Sequence, residues 1–141
     1  MLVRLLYASR AAGDVTPEEL AAILRKSKAN NPASGITGAL CFSGGIFLQL
    51  LEGGRSQVNR LYNRIVADPR HTDVELLSYE EIDERMFAGW SMGQVNLSRV
   101  NTALLLKYSE TATLDPYAVS GRVSKALFGE LVATASVMGQ G

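Results

Sequence analysis

The run Ile46-Phe47-Leu48-Gln49-Leu50-Leu51 limits the fold more than any other part of the chain. Along a β-strand, side chains alternate between faces. Ile46, Leu48 and Leu50 therefore share one face, and Phe47, Gln49 and Leu51 share the other. Both faces are apolar except at Gln49, so the strand is expected to be buried on both sides. Gln49 then carries a primary amide into an apolar layer. An unpaired buried amide costs about 1–3 kcal/mol, and this one has donors and acceptors to satisfy.

Around this strand the chain alternates between β-like and helical segments. Residues 2–9 are the expected first strand, with Val3, Leu5 and Tyr7 on one face and Leu2, Arg4 and Leu6 on the other. Thr16-Pro17-Glu18-Glu19 opens a helix: Thr16 can cap, Pro17 suits the first helical position, and Glu19 completes a capping box. Leu20, Ile23, Leu24 and Ser27 follow at helical spacing. Arg25, Lys26 and Lys28 suit the C-terminal end of a helix dipole, and Asn30-Asn31-Pro32 is expected to end the helix. Residues 35–43 form a second strand, and Ser43-Gly44-Gly45 marks a hairpin into the third. Residues 55–67 form a second helix with Val58, Leu61, Tyr62 and Ile65 inward, stopped by Asp68-Pro69-Arg70. Residues 74–82 and 86–95 are expected as two more strands, joined by Asp83-Glu84-Arg85.

The order β-α-β-β-α-β-β predicts an α/β (α+β) ferredoxin-like sandwich, a mixed five-stranded sheet with two helices on one face. The remainder reads as helical, with one helix over residues 100–108 and another over 116–137, opened by Asp115-Pro116 and weakened by Gly121 and Gly129. Val119, Val123, Leu127 and Leu131 at i,i+4 spacing could pack on the sheet or on another subunit. The expected division is residues 1–97 as the main domain and 98–141 as a helical extension of the same compact unit.

Composition narrows the function classes. The chain has 141 residues, enough for one domain with a real core, and is 47% hydrophobic and 20% charged. Fourteen basic residues balance fourteen acidic ones, so neither nucleic acid nor an anionic membrane is expected as a partner. One cysteine, Cys41, rules out an intrachain disulfide and fits a cytoplasmic setting. No apolar run approaches a membrane helix, and Arg4 interrupts the apolar N-terminus too early for a signal peptide. Phosphate cradles of the GxGxxG and GxxxxGK[ST] types are missing, as is a GxSxG elbow. One histidine and one cysteine cannot supply a His/Cys metal site. Asn96-Leu97-Ser98 matches a glycosylation sequon but fits a helix entry better.

The remaining polar signal is a constellation. If Tyr7 and Gln49 both face the helices, the phenol reaches the amide across neighbouring strands. One reading is a Tyr–Gln hydrogen bond inside a core. The other is a ligand site, because the phenol satisfies only part of the amide and Asn30 and Asn31 end the first helix near the same layer. Amides and a phenol together suit a flat heterocycle with alternating donors and acceptors.

The segments LLYASR, NNPASGITGALCFSGGIFLQLLEG, RIVADPRH and WSM, in this order and spacing, resemble BLUF domains, the blue-light sensors that use flavin. They cover about residues 1–95, and the tail resembles the short stand-alone members. The resemblance implies a non-covalent flavin, usually FAD with FMN possible, between the two helices. It implies Tyr7 as the photoactive tyrosine, Gln49 as the switching glutamine, and Asn31 with Asn30 at the polar edge of the flavin. Ile23 and Ile65 would sandwich the ring, with Ser27 beside it. Asp68, Arg70 and His71 would help hold it, and Arg70, Arg64 and Lys28 are candidates for its phosphate. Trp90 and Met92 would be the signalling pair on the fifth strand, two apart and hence on one face. The implied output is altered binding to an unidentified downstream signalling protein, with homo-oligomers expected and no enzymatic activity. An acylphosphatase-type enzyme and a non-photoactive oligomerisation module are the competing readings.

Overall fold

A computed structural model describes residues 1–96, 102–134 and 136–138. The elements are β1 (Leu2–Ala11), α1 (Pro17–Ser34), β2 (Thr37–Ser43), β3 (Ile46–Gly54), α2 (Arg55–Ala67), β4 (His71–Ile82), β5 (Gly93–Asn96), α3 (Thr102–Tyr108), α4 (Gly121–Thr134) and β6 (Ser136–Met138). The strands form one mixed sheet in the order β4-β1-β3-β2-β5-β6. Its first five strands make the ferredoxin-like arrangement, with β2 and β5 parallel and the other pairs antiparallel. The short β6 adds a sixth strand at the β5 edge.

The doubly apolar β3 is central, between β1 and β2, and Ile46 to Gly53 are all buried. The two-residue hairpin before it places Gly44 and Gly45 at φ 59° and 77°, the left-handed region that glycine tolerates. Alternation sorts the core into two layers. Val3, Leu5, Tyr7, Leu40, Phe47 and Leu51 lie under α1 and α2. Leu6, Ala8, Leu48 and Leu50 face the other way, against Leu105 of α3 and Leu127, Phe128 and Leu131 of α4. Of the expected i,i+4 stripe, Leu127 and Leu131 thus cover the second face of this chain's own sheet, whereas Val119 precedes α4 and Val123 is only partly buried. At the start of α4, a Cβ on Gly121 would stand 1.9 Å from the carbonyl oxygen of Leu77, so glycine permits the close approach of α4 to β4.

Several boundaries differ from the expected ones. Helix α1 runs through Asn30-Asn31-Pro32 to Ser34 and ends at Gly35, whose left-handed conformation (φ 67°) turns its N–H onto the carbonyls of Asn31 and Pro32. Pro32 sits inside the last turn, although it has no N–H to donate back along the helix. Arg25, Lys26 and Lys28 therefore lie within the helix and not at its end. β4 starts at His71, because a bulge around Asp73 (φ 48°) lets residues 71–72 rejoin β1 opposite Arg10 and Ala11. The expected fifth strand over residues 86–95 shortens to Gly93–Asn96, and residues 86–92 are irregular. The terminal helix spans Gly121–Thr134, and the chain then returns as β6 in place of the expected helical end. The helix start expected at Val100, and Leu97 and Ser98 of the sequon, lie outside the described residues.

Candidate functional site

Tyr7 on β1 and Gln49 on β3 are paired directly across the sheet. Both are buried, and the Tyr7 hydroxyl donates to Gln49 Oε1. Burial, and then the neighbouring Tyr62, push the Tyr7 pKa far above its ordinary value, so the phenol keeps its proton and acts as the donor. Gln49 Nε2 in turn points at the sulfur of Met92, 3.3 Å away. One amide thus joins a phenol on one side to a thioether on the other.

Tyr7 and Gln49 border a cavity of about 390 Å³ between α1, α2 and the sheet. Ile23, Ser27, Asn30 and Asn31 line it from α1, one turn apart as the helical period requires. Arg64 and Ile65 line it from α2, with Asp68, Arg70 and His71 from the turn that follows. The cavity therefore brings together Tyr7, Gln49 and every expected flavin-contact residue except Lys28. A second cavity of about 550 Å³ shares Ile23, Lys26, Phe47, Arg70 and His71 with the first and extends it under the loop Ala12–Val15.

Met92 and Trp90 do not share a face, contrary to expectation. They precede β5 in irregular backbone, where strand alternation does not apply. Met92 is buried in the α1 and α2 layer beside Gln49, while Trp90 packs in the opposite layer, its ring 5.0 Å from that of Phe87. Main-chain contacts pin the segment: Gly38 N–H donates to Trp90 O at 3.0 Å, and Asn31 Nδ2 donates to Ser91 O at 2.7 Å.

At the far end of the site, Asp68 holds the Arg70 guanidinium by a bidentate contact and also accepts its N–H. The Arg70 hydrogen bond is the largest influence holding the Asp68 carboxyl down to about 2. His71 is half-buried, with Nδ1 2.8 Å from Ser9 Oγ and its ring 5.1 Å from Phe47. Burial lowers its pKa, against the opposing pull of Asp68, and favours neutral imidazole.

Some lining residues escaped the sequence reading. Lys26, not Lys28, is the α1 cation at the cavity, because it shares a face with Ile23 and Asn30. That signal was present in the i+3/i+4 spacing once the helix is known to continue. Phe47 also lines the cavity, on the face it shares with Gln49 by strand alternation, and Ser9 supports His71 from behind it.

The donor set fits a flavin. Amides from Asn30, Asn31 and Gln49 suit a ring edge of carbonyls and ring nitrogens, and Ile23, Ile65 and Leu40 supply apolar walls. Lys26, Arg64 and Arg70 supply exposed cations for phosphate. Among the described residues no group of three His, Cys, Asp or Glu side chains is placed to hold a metal ion. No helix among them is long and apolar enough to cross a membrane.

A family model described as BLUF, sensors of blue-light using FAD, matches residues 2–93. The photoactivated adenylate cyclase subunit alpha of Euglena gracilis is 42% identical over 86 residues, 61% of this chain and 8% of that protein. This chain thus spans less than a tenth of that relative's length. The solved structure of BlsA in its photo-activated state matches with a TM-score of 0.82 and 32% identity, covering 96% of this chain and 99% of that one. BlrB, a BLUF protein in its dark state, matches with a TM-score of 0.78 and 33% identity over 94% of this chain and 95% of its own.

Proposed function

This chain belongs to the BLUF family of blue-light sensors, and on that premise we propose that Tyr7 is its electron and proton donor and Gln49 the group that switches hydrogen-bond partners. As a member of that family it binds flavin non-covalently and serves light-regulated signalling. The observation that carries the proposal is the buried sequence of contacts from the Tyr7 hydroxyl through the Gln49 amide to the Met92 sulfur, with Tyr7 and Gln49 at the wall of the cavity.

Flavin, when bound, supplies an excited state that is a strong one-electron oxidant under blue light. The rest lies with the side chains. Tyr7 is shielded from water and held neutral, so its ground state is a phenol poised to lose an electron and then a strongly acidic proton. Gln49 Oε1 already accepts that proton's hydrogen bond, and so is the first acceptor on the proton's path. Once Tyr7 is restored to a phenol, the amide is left with a different set of partners. Met92 offers Gln49 Nε2 only a weak sulfur acceptor, so exchanging it for an oxygen acceptor costs little.

Asn31 keeps one amide hydrogen and Oδ1 for the ring edge while its other hydrogen holds Ser91 O. Asn30 and Ser27 complete the polar edge, Ile23 and Ile65 clamp the ring faces, and Asp68 orients Arg70 toward phosphate beside His71, with Arg64 nearby. Met92 carries the signal, and Trp90 on the opposite face feels the movement of the shared segment. Residues 1–97 serve as the flavin-binding unit and 98–141 as the output extension, acting on a partner and not as a catalyst. A homo-oligomer in the cytoplasm is the assembly this reading favours. Loading with FAD or FMN, then recording visible spectra in darkness and under blue light, tests the reading: reversible red-shifted bands support it, and a folded protein that takes up neither flavin sinks it.

A further inference from the structure

We propose that Glu52 is a positioning residue for the Met92 segment, and that a charged row through Arg4 and Glu80 couples this segment to Lys125 on α4. The inference rests on the light-switch reading of Gln49 and Met92 and identifies how that switch meets the C-terminal helix.

Glu52 is fully buried, yet it is a carboxylate on the face away from the cavity. A buried charge persists where every lone pair finds a donor. Here Glu52 Oε1 accepts from Met86 N–H at 3.0 Å and Phe87 N–H at 2.7 Å, and Oε2 accepts from Arg4 Nε at 2.8 Å. The two main-chain donors begin the irregular segment that ends at Met92. Glu52 therefore fixes where the segment leaves the sheet, as Gly38 and Asn31 fix it further on.

The strand register continues the row. Glu52 is opposite Arg4, and Arg4 is opposite Glu80. Arg4 Nη1 reaches Glu80 Oε1 at 2.9 Å, and Lys125 Nζ reaches Glu80 Oε2 at 2.8 Å. On the other side Glu52 is opposite Thr37, whose hydroxyl accepts from Arg85 Nη1 at 3.1 Å. One line of charges thus crosses three strands, β4, β1 and β3. It begins on α4 and ends at the residues that launch the Met92 segment. A shift of that segment perturbs the Glu52 carboxylate directly, and the strain passes to α4 through charge-assisted contacts of fixed direction.

The test measures the lifetime of the red-shifted state, together with amide exchange at Met86 and Phe87, in four proteins: unmodified, Lys125→Met, Glu52→Gln and the double variant. Lys125→Met should leave flavin uptake and the size of the red shift unchanged. It should shorten the lifetime by about two- to tenfold and speed exchange at Met86 and Phe87. Glu52→Gln keeps the side-chain shape, and the double variant should match it, because Lys125 acts through Glu52. An unchanged lifetime and unchanged exchange in Lys125→Met, or fully additive effects in the double variant, would overturn the coupling while leaving the light switch standing. If Glu52→Gln does not fold, the two Lys125→Met readouts decide alone. An unmodified protein with bound flavin and no red shift would instead remove the switch, and the coupling with it.

Discussion

On the α1 and α2 side of the sheet, the alternate residues of β1 and β3 run Val3, Leu5, Tyr7, Ser9 and Phe47, Gln49, Leu51. On the α3 and α4 side, the same strands present Leu6, Ala8 and Leu48, Leu50. Both faces are covered by helices, but the first interrupts its apolar rows with a phenol, a hydroxyl and an amide near the middle of the sheet, whereas the second carries its polar groups, Arg4 and Glu52, at the end of the rows. There the helices stand off and leave a cavity. On the second face Phe128, Leu127 and Leu131 pack into the rows, and at Gly121 the backbones nearly touch. One sheet thus separates its two faces by residue parity: positions of one parity face the cavity, and their neighbours pack against α3 and α4.

The largest effect is expected at Tyr7. Tyr7→Phe keeps the ring and its packing but removes the donor to Gln49, so bound flavin should remain and the light-induced shift should vanish. A shift retained at full amplitude would assign the photochemistry elsewhere. The matching change on the other face is Phe128→Ala. It should lower stability by about 3–5 kcal/mol, read by denaturant unfolding, while the surviving folded protein still shifts under blue light. Loss of the shift at unchanged stability would mean that the faces are not separable in this way.

A smaller effect sharpens the comparison through pH. His71 has its pKa lowered below the ordinary 6.5 by burial, so the unfolded chain binds its proton more readily than the folded one. Its contribution to stability is therefore intact above pH 6.5 and declines as pH falls through that value towards the folded pKa. Asp68, held down to about 2, contributes above its ordinary 3.8 and loses that contribution as pH falls from there. Melting temperature measured against pH should show the two steps separately, and His71→Gln should remove only the upper one.

How much of this was legible in the sequence follows from the range of each interaction. The β3 pattern gave its burial on both faces, and the parity of Tyr7 and Gln49 followed from counting by twos. The capping residues set the start of α1, where Thr16 Oγ1 accepts from Glu19 N–H at 3.1 Å. Its end was misplaced because Asn30-Asn31-Pro32 looks like a stop, whereas the decisive residue is Gly35, which can turn left-handed. The segment around Trp90 and Met92 looks like strand because its apolar residues satisfy a period of two. Its first two main-chain amides instead donate to the Glu52 carboxylate, far away in sequence. The same long-range character hid Ser9 beside His71 and the return of the chain as β6. The roles of the cavity residues came from the resemblance of four motifs, since amides and cations at a helix surface do not name their ligand.

The proposed light switch rests on Gln49 changing its hydrogen bonds to the flavin edge after light. Its most direct test is a light-minus-dark infrared spectrum of the flavin-loaded protein, compared with Gln49→Leu. The prediction is a downward shift of the flavin C4 carbonyl stretch that reverses in darkness and is absent from the variant. A carbonyl band that does not move, or one that moves equally without Gln49, would contradict it.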